Sequence, residues 1–576
     1  MLFLCCTKSQ ECLMDLVQRN HPHCLVTYIL NHGTGGGHTI LVNYRPICIL
    51  PSLEKILEKY IQLKLIKYLV DFSFIDTNQY GFQKQGTEMQ LQKIASLINN
   101  EFNNYSEAFG TINHRKLLQI LEIIGIRRKL LKLFENYLNN HCIKTISFIL
   151  SDLAKKMCDV LTNLPQVHDI INEGEKFDVI LVELFNSECV YGITHFIDAP
   201  VIGLQSHLPM PWTLEYYGQP EFSAYMPCIF VSSGPHMGFR ERLENAFFSH
   251  LYRVIFKYSA FIPEREIVQR NLNRTVPPLN EIAQRTSALL SNTHFTLHGP
   301  KPLLPGIVEA GGMHIRHTLA PLDLVTILCH FMRDFHPRFH ELVRVKKFFM
   351  NASKNGVIVF SMGSMLRTST MPLHKRDAFL DAFSKIDYEV IWKWEGEPIP
   401  NLPKNVFLKK WLPQLELLHH PKTVAFISHG GLLGTTEAIH CGVPMLFIPV
   451  FADQGANSAA AVEAGLGKRV LYGAVTKETV YEALTQVLTP EMRESAKSLS
   501  MQWHDRTPPL QLATETVEYV AKYKGRHLRS PALDLYTYQA LNLDVMAFFL
   551  VILIVLFSSI LLLNINFYVI LNKKLL

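Results

Sequence analysis

Trp411 to Asn457 reads WLPQLELLHHPKTVAFISHGGLLGTTEAIHCGVPMLFIPVFADQGAN, and this stretch decides the fold. A short apolar run, Val424 to Ile427, meets Ser428-His429-Gly430-Gly431, and a helical pattern starts directly afterwards. A second apolar run, Met445 to Val450, ends in a loop that carries Asp453 and Gln454. Open α/β sheets hold their ligands just outside such carboxyl strand ends. Paired glycines let the backbone approach a phosphate, and the helix behind them offers free N–H groups and a positive dipole end. In such a pocket His429 can donate to a diphosphate oxygen, and Trp411 supplies a flat face for a base.

The regular pattern extends upstream. Val357 to Phe360 is a short apolar strand running into Ser361-Met362-Gly363-Ser364, a small-residue turn whose hydroxyls and N–H groups can reach a phosphate. A helix over Leu373 to Ile386, strands Glu389 to Trp392 and Val406 to Leu408, and a helix near Lys477 to Leu488 continue the alternation. Alternating strands and helices imply a parallel sheet covered on both faces. Taken in order, W-x-P-Q, a short helix, H-P, an apolar strand, S-H-G-G, E-A-x3-G-V-P and a D-Q pair followed by N resemble the signature of the UDP-glycosyltransferase family. These are the membrane-bound glucuronosyl- and glucosyltransferases of animals, and the likeness is to invertebrate members.

The resemblance implies an α/β fold of the GT-B type. Two Rossmann-like domains face each other across a cleft, the first of them truncated here, and a C-terminal transmembrane helix follows. It implies that Trp411 stacks on uracil and that Gln414 contacts the base edge or the ribose. His429 would hold the diphosphate together with Ser364 and the Gly430-Gly431 backbone. Glu437 would bind ribose hydroxyls, and Asp453 with Gln454 would grip the hydroxyls of the sugar. Neither a metal nor a cofactor is implied, because the UDP-sugar is a co-substrate and a His beside a helix N-terminus can stabilise departing UDP. UDP-glucose and UDP-glucuronate both remain open as donors.

The reaction implied is inverting transfer to a hydroxyl of a small lipophilic acceptor. A general base takes the acceptor proton as its oxygen attacks the anomeric carbon. In the family that base is a His on the loop after the first strand, supported by an acidic residue on the strand that here reads Phe177 to Leu184. Glu183 occupies the place of the acid, and no matching His is recognisable. The chain is therefore expected to bind donor and to be impaired in turnover. The alternative is a membrane protein that binds UDP-sugar without catalysis.

Family likeness begins near Asp152. Upstream, Asn43-Tyr44-Arg45-Pro46-Ile47, Tyr80-Gly81-Phe82-Gln83-Lys84 and Ala108-Phe109-Gly110-Thr111-Ile112-Asn113-His114 resemble blocks of a non-LTR retrotransposon reverse transcriptase. Two-metal polymerisation needs acidic ligands, and Asn104 and Gly110 stand where that family has Asp. Residues 1–150 are thus expected to be a degenerate fragment without polymerase activity or a nucleic-acid partner. Residues 152–324 form a partial acceptor domain, with a helix over Leu153 to Glu175, a strand from Phe177 and a helix over Arg240 to Phe256. Within its Gly203 to Tyr225 stretch, His207, Trp212 and Tyr217 fit either an acceptor pocket or ordinary packing. Residues 325–345 read as an insertion, in spite of the loosely metal-like spacing of His330, His336 and His340. Residues 346–530 are the expected UDP-sugar-binding domain.

Composition adds the membrane. The 576 residues are 48% hydrophobic, more than a soluble protein needs, and the surplus lies at the end. Val545 to Leu563 carries no charge and is long enough to cross a hydrocarbon core, within an apolar segment spanning 545–570. Residues 571–576 include Lys573-Lys574, which resemble a dilysine retrieval signal of the endoplasmic reticulum and favour a cytosolic tail. A net charge of +6 shows no concentrated basic tract. The eleven cysteines have no metal-like spacing and are expected to be scattered buried thiols. No secretory signal opens the chain, which leads to the expectation of a tail anchor with the large domain in the cytosol. Asn273-Arg274-Thr275 and Asn351-Ala352-Ser353 fit the glycan acceptor pattern and test that topology.

Overall fold

The computed structural model describes residues 2–5, 27–30, 44–47, 142–174, 176–315, 355–364 and 366–575. The Tyr80 and Ala108 blocks, residues 325–345 with their three histidines, and Asn351 lie outside the described residues. Strand β1 (Leu2–Cys5) joins the first sheet, while β2 (Thr27–Leu30) and β3 (Tyr44–Ile47) pair antiparallel with each other. The first sheet continues with β4 (Val179–Glu183), β5 (Val201–Gln205), β6 (Ala288–Ser291) and β7 (Ile307–Glu309). Its order is β1-β4-β5-β6-β7, parallel except for β1, which runs antiparallel along the edge of β4.

The second sheet holds β8 (Val357–Ser361), β9 (Glu389–Lys393), β10 (Val406–Lys409), β11 (Thr423–Ser428), β12 (Met445–Phe447) and β13 (Gly467–Arg469). All six are parallel, in the order β10-β9-β8-β11-β12-β13. Side chains alternate across a strand, and both faces of this sheet are covered, so the strands read as unbroken apolar runs. Ile358 and Phe360 pack with Phe379, Phe383 and Leu484 on one face. Val357 and Val359 pack with Phe426, Ile439 and Leu499 on the other. The winding reverses between β8 and β11, and the crevice that this opens lies at their carboxyl ends.

Helix Pro509–Tyr523 falls inside the span expected for the second domain, yet it packs on the first sheet. Leu510, Ala513, Val517, Val520 and Ala521 form one helical stripe against Val179, Leu181, Ile202 and Leu290. Burying Leu510, Val517 and Val520 stabilises this crossing by about 1.5–3 kcal/mol each. The chain then runs on along the first half, where the Ser287 hydroxyl donates to Lys524 O at 3.2 Å.

Three expectations change. The helix expected over Leu153 to Glu175 is two helices, Cys142–Thr162 and Pro165–Glu173, because Pro165 cannot continue a helix but suits the first position of a new one. The first of these crosses the boundary expected at residues 150–152. Cys158 and Cys189 are not free thiols: they form a disulfide between helices Cys142–Thr162 and Cys189–Thr194. The expected strand Met445 to Val450 stops at Phe447, which frees the following residues for the loop that carries Asp453. One helix among the described residues is long and apolar enough to cross a membrane, at Leu543–Leu562, and none of that stretch is buried.

Candidate active site

The loops leaving β8 and β11 meet at the winding reversal. Gly363 and Gly430 sit at φ +77° and +86°, a region open to glycine at no steric cost. The His429 ring lies between Gly363 and Gly431. A Cβ on Gly363 would stand 2.6 Å from Cε1 of the ring, and one on Gly431 would stand 2.6 Å from Nε2. Any side chain at residue 431 would therefore fill the space in front of the ring nitrogen. Ser428 Oγ lies 3.2 Å from His429 Nδ1. Burial, with help from the nearby Lys393 charge, lowers the His429 pKa to about 4. The imidazole is neutral at physiological pH, and with the Ser428 hydroxyl donating to Nδ1 it presents Nε2–H as a donor. Helix Leu432–Cys441 begins immediately behind it, so its first N–H groups add to the anion-favouring field.

Lys393, at the carboxyl end of β9, belongs to the same site and was not expected. Its Nζ donates to Gly363 O at 2.7 Å, lies 3.6 Å from Glu395 and sits 5.7 Å from the Trp411 ring centre. The signal for it in the sequence is position alone, the last residue of a strand beside the winding reversal. Trp411 is 44% exposed, so its ring faces the opening. Ser364 is exposed on the turn after β8.

Gln414 and Glu437 come together from separate helices, Gln414 Nε2 donating to Glu437 Oε2 at 2.6 Å. Burial, reinforced by the Glu416 charge, moves the Glu437 pKa up to about 7, and the Gln414 bond restrains that rise. Gln454 is buried, and its side-chain oxygen accepts from the N–H groups of Val450 and Phe451 at 2.9 and 3.1 Å. That leaves the donor half of its amide for other partners. Asp453 follows Ala452, which sits at φ +54°, a strained value for a residue with a side chain. Asn457 Nδ2 donates to Asp453 Oδ2 at 2.7 Å and to Gly430 O at 3.2 Å, tying the loops after β12 and β11 together.

The first half faces this site. Glu183 ends β4, and the Ser206 hydroxyl on the next strand end donates to its Oε1 at 3.4 Å. His207 follows on the same turn, and burial raises the pKa of Asp453 in the second half. Trp212 and Tyr217 are packing residues. Trp212 is buried with its ring centre 4.2 Å from Phe256, and the Tyr217 hydroxyl donates to Ala288 O at 3.3 Å. A cavity in this half is lined by Leu208, Met210, Met226 and Ile307, together with Lys301 and Glu309. The halves also touch where Arg469, itself donating to Gly455 O of its own half, donates to Ser232 O of the other at 3.3 Å, and where Glu463 accepts from His236 at 2.9 Å.

The sequence matches the model of the UDP-glucuronosyl and UDP-glucosyl transferases over residues 125–575. The chain belongs to that family. By family it is a hexosyltransferase of the UDP-glycosyltransferase type. The match starts upstream of Asp152 and runs through residues 325–345. Among similar proteins, the UDP-glycosyltransferase UGT5 of Dactylopius coccus is 36% identical over 399 residues, 67% of this chain and 70% of that one. The UDP-glucuronosyltransferase 1A4 of Oryctolagus cuniculus is 32% identical over 425 residues, 72% of this chain and 74% of that one. The crystal structure of the glycotransferase of kitacinnamycin aligns at a TM-score of 0.43 with 17% identity, over 66% of this chain and 82% of that one.

Proposed function

We propose that this UDP-glycosyltransferase moves glucose or glucuronate from its UDP-sugar to a hydroxyl of a small lipophilic acceptor. The observation that carries this is the convergence at the winding reversal: a neutral His429 framed by two glycines, with Lys393, the Trp411 face and the Gln414–Glu437 pair around it. His429, Lys393, Ser364 and the Gly430-Gly431 backbone hold the diphosphate, and Trp411 stacks on uracil with Gln414 at its edge. Glu437 takes the ribose hydroxyls, while Asp453 and Gln454 take those of the sugar. The apolar cavity of the first half suits a lipophilic acceptor. Incubating the full chain with UDP-glucose or UDP-glucuronate and phenol tests the assignment. Glycoside formation is the expected result, and absence of both turnover and UDP binding overturns it.

We further propose that Leu543–Leu562 spans the endoplasmic reticulum membrane with the dilysine tail in the cytosol. The Cys158–Cys189 disulfide and the exposed Asn273 support an oxidising lumenal setting for the two halves. That setting is opposite to the tail-anchored one expected from the sequence.

A further inference from the structure

We propose, resting on the transfer reaction given above, that the acceptor is a hydroxy acid, an otherwise apolar molecule whose carboxylate is bound by Lys301 while its hydroxyl takes the sugar. The cavity of the first half lies at the carboxyl ends of three neighbouring strands. Leu208 follows β5, Ser291 and Thr293 stand at the end of β6, and Ile307 and Glu309 belong to β7. Its wall is mainly leucine, methionine and proline, and Lys301 is the one cation among the described lining residues. A pocket of this kind fixes its ligand's orientation through a few polar groups set in an apolar wall.

The chain holds Lys301 at this place. Pro300 and Pro302 flank it, and their rings fix the backbone φ on either side. Gln219, itself buried, clamps the segment: its Nε2 donates to Pro302 O at 2.6 Å, and its Oε1 accepts from Leu304 N at 2.8 Å. The Lys301 ammonium makes no hydrogen bond or ion pair among the described residues. Burial lowers its pKa, and the Glu309 charge opposes that fall. An ammonium drawn out of water without a partner is costly, and a carboxylate arriving from the cavity offsets that cost.

Both acids of the lining are already engaged. Glu221 is paired with Arg253. Glu309 Oε1 accepts from the Thr293 hydroxyl at 2.8 Å, and Thr293 lies 3.1 Å from Ser291 Oγ. The Glu309 charge also acts on Arg506, at the start of the crossing to the first half. Lys301, Arg506 and Glu309 together hold one positive charge in excess, which an acceptor's acid group neutralises. With that group on Lys301, the hydroxyl is the oxygen left to react. It bonds to the anomeric carbon and gives its proton to the buffer. The bond from that carbon to the UDP oxygen breaks, and the pair leaves with UDP. The product is a glycoside with a free carboxylate, not a sugar ester.

The test uses the full-length membrane protein with UDP-glucose or UDP-glucuronate. The acceptors are 4-hydroxyphenyl acids from the acetate to the butanoate, each beside its methyl ester. At least one acid is expected to exceed its ester about 10-fold or more in kcat/KM, through KM, because the contact to Lys301 is charged. Calorimetric titration of the same pairs reads the preference without turnover. In Lys301→Met, acid and ester should come within about twofold of each other. Lys301→Arg should keep most of the preference, a rescue that a merely structural role would not produce. UDP binding by each variant reports that it is folded. A parent that prefers no acid over its ester, by rate or by titration, overturns the proposal, and so does a preference that survives in K301M. Phenol glycosylation alongside either result leaves the transferase assignment standing. A parent that neither binds UDP nor forms any glycoside overturns that assignment itself.

Discussion

Gln414 donates to Glu437 at 2.6 Å, joining the helix that follows Trp411 to the helix that follows Gly431. Burial holds the Glu437 pKa near 7, above its ordinary 4.5. Between these values the folded chain binds the extra proton, so stability falls as pH rises from 4.5 to 7 and is level above that. Ribose hydroxyls need the ionised form as acceptor. UDP affinity is therefore expected to rise from pH 6 to pH 8, and titration calorimetry at the two values checks it. In Glu437→Gln the dependence should flatten, and affinity at pH 8 should drop by about 10-fold or more, since hydrogen bonds to charged groups contribute about 1.5–3 kcal/mol.

Gly431→Ala places a methyl 2.6 Å from His429 Nε2 without straining the backbone, whose φ there is −63°. UDP affinity is expected to fall at least about tenfold. The loss in stability should stay within the range of about 1–3 kcal/mol that overpacking costs. Gly363→Ala adds the burden of φ +77° and should lower the melting temperature further. Thermal unfolding beside UDP titration separates the two effects.

Lys393→Met removes the cation beside His429. Donor KM is expected to rise about 10-fold as a charge-assisted contact to phosphate is lost. The His429 pKa should move up from about 4, because the Lys393 charge is one of the two causes holding it down. Histidine NMR shifts across pH 3–7 read that movement directly.

The clustering of the residues expected at the donor site was largely legible in the sequence because they are local. His429, its glycines and Glu437 lie on one strand–turn–helix, and Asp453 lies on the next. Lys393 was missed because only the strand order brings β9 beside β11's neighbour. The Cys158–Cys189 pair is 31 residues apart with no diagnostic spacing, so helix packing alone reveals it.

Reduction should show what that disulfide contributes. Closing a loop of about 30 residues stabilises by roughly 3–4 kcal/mol in the chain-entropy picture. Cys158→Ser, or thiol treatment of the parent, is therefore expected to lower the melting temperature by several degrees. Cys228 and Cys441 are free, so thiol labelling before and after reduction, followed at Cys158 and Cys189, checks the pairing.

Asn273 is exposed at the end of helix Ile262–Leu272, where its φ of +51° closes the helix. Lumenal placement predicts a glycan there. Endoglycosidase treatment should sharpen the band on a gel, and Asn273→Gln should abolish that part of the shift. An unmodified Asn273 in cells with active glycosylation would return the cytosolic topology to favour.

The crossing helix Pro509–Tyr523 has a mechanical consequence. The segment that follows it, through Leu533, lies against the first half, with Gly218 crowded by Ser530 and Leu533, and Gly525 by Ser287. A span seated in a bilayer thus tethers the acceptor half, although the donor half precedes it in the chain. Any opening of the two halves in that setting would move the second half, while the first keeps its height above the lipid. A greasy substrate leaving the membrane would meet a stationary entrance, and the water-soluble donor would ride on the part that moves.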